Sequence, residues 1–82
     1  MNIQDVVIID PEILGGIPVF RGTRVPIKNL FDYLEAGENV TDFLADFDYI
    51  PKNDAMAVLK FSEILLTNKN IYEIIAGRTI AD

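Results

Sequence analysis

Apolar positions along this chain change their spacing from segment to segment, and each spacing predicts a different element. Val6-Val7-Ile8-Ile9 is an unbroken β-branched run closed by Asp10-Pro11, the pattern of a short strand. Its apolarity is continuous rather than alternating, which predicts burial on both faces, with a second subunit as one covering surface. Residues 17–20 and 24–27 form two short apolar arms, each with one proline. Proline fixes φ and removes a backbone donor, so neither arm reads as a long central strand. Gly22 permits a tight reversal between them. The expected product is a short, stiff ribbon with Arg21 and Arg24 beside its tip.

From residue 27 the period becomes helical. Ile27, Leu30, Phe31 and Leu34 follow the i, i+3, i+4, i+7 rule, and Gly37 stands where a glycine ends a helix. Thr41 is the expected cap of a second helix, with Val40, Phe43, Leu44 and Phe47 inward and Asp42 and Asp46 outward. Asp48-Tyr49-Ile50 reads as a turn, and Pro51 suits the first turn of a third helix. Asn53 and Asp54 favour that N-terminus. Ala55, Val58, Leu59, Ser62, Leu65 and Leu66 would line one side of it, and the helix should fade near Thr67 or Asn68. In residues 69–82, Asn70 and Glu73 resemble a capping box, and Ile71, Ile74 and Ile75 recur at helical spacing. The same isoleucines suit a strand, but a short helix ended by Gly77 and followed by a tail is preferred. The fold class predicted is mainly α: a three-helix, helix-turn-helix-like core with a short N-terminal β ribbon over residues 1–67. Residues 68–82 form a C-terminal partner-binding tail.

Composition narrows the functions open to such a fold. Eighty-two residues make one domain, of a size that often gains from oligomerisation. No apolar run approaches the roughly 18 residues that span a bilayer, and no signal peptide is evident, so a cytoplasmic location is expected. Cysteine and histidine are both absent. Zinc sites of His and Cys are therefore impossible, as is a histidine general base. No phosphate-binding glycine loop or nucleophile elbow occurs. Neither an enzyme nor a cofactor is expected. The formal net charge is −6, which argues against strong nonspecific DNA binding. It suits a basic partner, or a protein whose few cations share one surface.

Asp10-Pro11, Gly15-Gly16, Pro18, Arg21-Gly22-Thr23-Arg24 and Pro26 together resemble the signature of the domain of unknown function 433 family. The resemblance continues through Leu30, Leu34, Gly37, residues 40–44 and the Ala57-Val58-Leu59 stretch, covering about residues 3–65. It implies a small helix-turn-helix protein. It also implies an antitoxin of a type II toxin–antitoxin system, partnered with a PIN-like ribonuclease toxin and repressing its own promoter as a homodimer. Where the family pattern commonly has threonine and proline, this chain has Pro51 and Asp48, which weakens the transfer of any DNA-contact role.

The candidate residues follow from these readings. Arg21 and Arg24 offer guanidinium forks to phosphates or to a partner carboxylate; the alternative is an internal pairing with acids such as Asp10, Glu12 or Asp32. Lys52 and Asn53 open the third helix, where a recognition helix meets operator DNA; the alternative is a solvated helix start. Ile71, Ile74 and Ile75 are the expected toxin-binding positions. Arg78 would enter the toxin's acidic metal site in the cation's place. Asp42 and Asp46, one helical turn apart, read as a solvated face rather than a magnesium site. A protein-interaction module that never binds DNA is the competing reading.

Overall fold

A computed structural model describes residues 2–77. A 3-10 turn at Ile3–Asp5 leads into strand β1, Val7–Ile8, and a second at Leu14–Gly16 leads into β2, Val19–Phe20. Four helices follow: α1 Ile27–Glu35, α2 Val40–Asp46, α3 Lys52–Leu66 and α4 Lys69–Ile75. The chain is mainly helical with a small antiparallel sheet near its N-terminus, as its periodicity predicts.

The ribbon differs in its pairing. β2 forms its regular ladder with β1, Val7 opposite Phe20 and Ile8 opposite Val19. The arm after the tip joins β2 only through a bridge between Val19 and Pro26 and through the Phe20 N–H to Val25 and Ile27 N–H to Pro18 carbonyl bonds. The prolines explain this, since each withholds a donor that a longer ladder would need. β1 is also less enclosed than expected. Val6 is fully buried, Val7 and Ile8 half-buried, and Ile9 67 % exposed.

Helix ends follow local chemistry. Gly37, at φ +87°, closes α1: its N–H bonds to Leu34 and the Glu38 N–H reaches back to Tyr33, the paired bonds of a Schellman ending. Asn39, not Thr41, caps α2. The Asp42 N–H donates to Asn39 Oδ1 at 2.8 Å and the Asn39 N–H to Asp42 Oδ2 at 3.0 Å. Thr41 lies inside the helix, whereas Asn39 keeps the extended backbone a cap requires. Asn68, not Asn70, likewise caps α4, accepting from the Asn70 N–H at 2.8 Å. Pro51 is the residue before α3 rather than within its first turn.

The core comprises Val6, Phe20, Val25, Leu30, Phe43, Ile50, Ala55 and Val58. Phe43 anchors it, with ring centroids 5.8 Å from Phe20, 5.4 Å from Tyr33 and 5.0 Å from Phe47. Only the first half of α3 reaches this core. Leu65 and Leu66, expected to line it, are 49 % and 59 % exposed. A 15-residue helix is about 22 Å long, and α3 outruns the other elements, giving a molecule of 48 × 31 × 23 Å.

Candidate functional site

Two surfaces lie at opposite ends of α3. At its N-terminal end the Arg-Gly-Thr-Arg tip packs against the helix. Gly22 turns the chain at φ +71°, a left-handed conformation that a side chain disfavours. The Thr23 hydroxyl donates to the Phe20 carbonyl at 2.7 Å and accepts from the Val25 N–H at 3.0 Å, locking the reversal. This geometry carries Arg21 onto Asp54. Arg21 Nε donates to Oδ2 at 3.1 Å and Nη2 to Oδ1 at 3.0 Å.

Asp54 is 1 % exposed and is the buried charged residue of the core. A buried carboxylate persists only when paired and hydrogen-bonded. Here one face of a guanidinium supplies two charge-assisted bonds, and the third helical position adds the favourable end of the helix dipole. Arg21 therefore has the internal role weighed against its ligand-binding one, though its partner is none of the acids named from sequence. Its side chain remains 45 % exposed.

Arg24, Lys52 and Asn53 are exposed. Neither cation has an ion-pair partner among the described residues, while Lys28 and Lys60 are committed to Asp32 and Glu63. The Asp32 carboxylate, through its hydrogen bond and its charge, holds Lys28 above its usual range. Arg21 and Lys52 thus share one end of α3, with Arg24 on the same tip.

At the other end, Ile71 is half-buried, and Ile74 and Ile75 are 69 % and 63 % exposed. They continue an apolar run from Ile64, Leu65 and Leu66, all about half exposed. Arg78 lies outside the described residues. The predicted DNA-contact and toxin-contact sets are consequently separated by the length of α3.

A third feature has no counterpart in the sequence reading. An apolar groove of about 830 Å³ opens between the sheet, α1 and α3, lined by Ile3, Val7, Ile9, Ile17, Phe31 and Phe61 among others. The acids that raised the question of magnesium are otherwise engaged. Asp42 completes the α2 cap, Asp32 holds Lys28 and Asp46 accepts from the Tyr33 hydroxyl. No group of three or more acids that could hold a metal occurs among the described residues, nor does a helix long and apolar enough to cross a membrane.

Asp54 had a detectable signal. With Ala55 and Val58 it falls on one apolar stripe of a helix, and an acid on such a stripe needs a cation that the three arginines must supply. The groove had none, because its walls come from four separated segments.

A family described as "Protein of unknown function (DUF433)" matches residues 7–62. The uncharacterized protein y4eO of Sinorhizobium fredii is 44 % identical over 41 residues, which is 50 % of this chain and 19 % of that protein. The match spans about a fifth of that relative's length. No solved structure matches.

Proposed function

This chain belongs to the DUF433 family, and we propose that it acts as a protein-binding antitoxin that neutralises a PIN-like ribonuclease through its C-terminal apolar arm. One observation carries the reading: from Ile64 to Ile75, large aliphatic and aromatic side chains stand in solvent on the end of α3 and on α4. A contiguous apolar surface on a small protein marks a contact site, and helical spacing suits insertion into a partner's groove. The resemblance to antitoxins supplies the partner class. In this reading Arg78 follows the arm into the ribonuclease's acidic metal site.

The test is RNA cleavage by a PIN-like ribonuclease from the same genome, with and without the full chain. Inhibition should fall at least tenfold for Leu66→Asp or Ile74→Asp. Both positions are exposed, so circular dichroism should be unchanged. Full inhibition by both variants would overturn the arm assignment.

A second reading, promoter binding for autorepression, is favoured by the exposed Arg24, Lys52 and Asn53 near the start of α3. The net charge of −6 opposes it, because DNA affinity rests on phosphate neutralisation. Titration of upstream DNA beside a scrambled duplex decides the matter. Specific binding weakened by salt and by Arg24→Ala or Lys52→Ala supports the repressor. Equal or absent binding leaves an interaction module without a DNA role.

A further inference from the structure

We infer that the apolar groove between the sheet, α1 and α3 is the seat of a second copy of this chain, packed across a two-fold axis along the open edge of β1. The groove holds about 830 Å³ and its walls are aliphatic and aromatic. At its rim, Ile9 is 67 %, Ile17 45 % and Phe61 44 % exposed. Such a surface is larger than the scattered apolar contacts of an ordinary monomer.

Area indicates what covers it. The chain exposes 5917 Å², whereas a compact 9.2 kDa protein exposes about 4,900 Å². The surplus of about 1,000 Å² is comparable with the roughly 800 Å² that each partner gives to a standard interface.

Charge selects the occupant. No acidic side chain lines the groove, and its charged lining residue, Lys28, is already bonded to Asp32 at 2.7 Å. Two copies of a −6 protein repel wherever their acids meet, and here they meet none. A basic partner, which the net charge favours elsewhere, finds no counter-charge on this face.

Backbone geometry adds a second fit. The Arg21 N–H donates to the Val6 carbonyl at 2.9 Å. Antiparallel alternation then directs the Val6 and Ile8 polar groups toward β2 and those of Val7 and Ile9 toward the open edge. An isologous dimer can pair this edge with its own copy, closing an exposed strand edge that proteins otherwise protect. The strand is short, so these bonds orient the copies while groove burial holds them.

The experiment is light scattering during size-exclusion chromatography of the full chain across a micromolar range. The wild-type mass should be twice 9.2 kDa, and Ile9→Asp or Ile17→Asp should halve it with an unchanged circular dichroism spectrum. Ile74→Asp, on the arm, should remain dimeric. A monomeric wild type overturns the assignment, as does a dimer that survives both groove variants or is lost with Ile74→Asp. A groove protected only when the ribonuclease is added also overturns it, by making that enzyme the occupant. Ribonuclease inhibition is read separately, so the dimer and the antitoxin reading can fail independently.

Discussion

Arg21 and Asp54, 33 residues apart in sequence, form a two-bond ion pair that ties the tip after β2 to the first turn of α3. The acid is enclosed by the core while the arginine faces solvent on one side. The pair fastens the N-terminal ribbon to the helical unit where the chain's exposed cations gather.

Removing one partner leaves the other without compensation. Arg21→Ala strands a buried carboxylate, an effect of about 3–5 kcal/mol for a fully enclosed pair. Solvent access on the arginine side reduces the expectation to about 2–3 kcal/mol, or roughly 10 °C or more in Tm. Asp54→Ala should cost less, because its guanidinium partner can rehydrate. A double-mutant cycle by thermal denaturation should give a coupling above about 1 kcal/mol. Additive effects would show the pair to be incidental. It follows that Arg24→Ala and Lys52→Ala, not Arg21→Ala, are the clean probes of DNA binding.

Phe43 is fully buried and in contact with the rings of Phe20, Tyr33 and Phe47. Phe43→Ala should destabilise the fold by about 3–5 kcal/mol through lost transfer energy and a cavity. Against the marginal stability of a small domain, this approaches complete unfolding. Phe43→Leu should retain the fold with a smaller loss. Equilibrium urea denaturation checks both, and a loss below about 1 kcal/mol for Phe43→Ala would contradict the ring cluster's role.

The Tyr33 hydroxyl donates to Asp46, and this bond pushes its pKa up from 10.0 to about 12, with desolvation and the aspartate charge adding to it. The group keeps its proton in the folded state after the unfolded chain has lost it. Its stabilising contribution is therefore complete below about pH 10 and disappears as pH rises through about 12. Ultraviolet titration should show a late-ionising tyrosine in the wild type, and Asp46→Ala should bring that step back toward 10. An unchanged profile in Asp46→Ala would remove Asp46 as the cause.

The α1–α2 junction depends on Gly37 and Asn39 for different reasons. Gly37 holds a positive φ with open space around its missing side chain, so Gly37→Ala should cost about 1 kcal/mol from backbone strain alone. Asn39→Ala removes a bond to the Asp42 N–H and should cost about 1 kcal/mol. Thr41→Ala should be nearly neutral. Comparable losses at Thr41 and Asn39 would return the cap to Thr41.

Much was legible in sequence because it depends on neighbours along the chain. The period of Ile27, Leu30 and Leu34 specifies an amphipathic helix, Gly37 and Gly77 mark endings, and the two prolines limit the ribbon, all through local dihedral preference and spacing. Cap placement was displaced by two residues twice, at Asn39 and Asn68, because several polar residues compete at such ends and the backbone selects the one left extended. Tertiary structure decided the rest. It chose Asp54 as the partner of Arg21, since only packing brings residues 33 apart into hydrogen-bond range and excludes water from one of them. It also left Leu65 and Leu66 in solvent despite their helical register, and it assembled a groove from Ile3, Ile9, Ile17 and Phe61. Periodicity assigns a side chain to a face, but the elements packed alongside determine whether that face is covered.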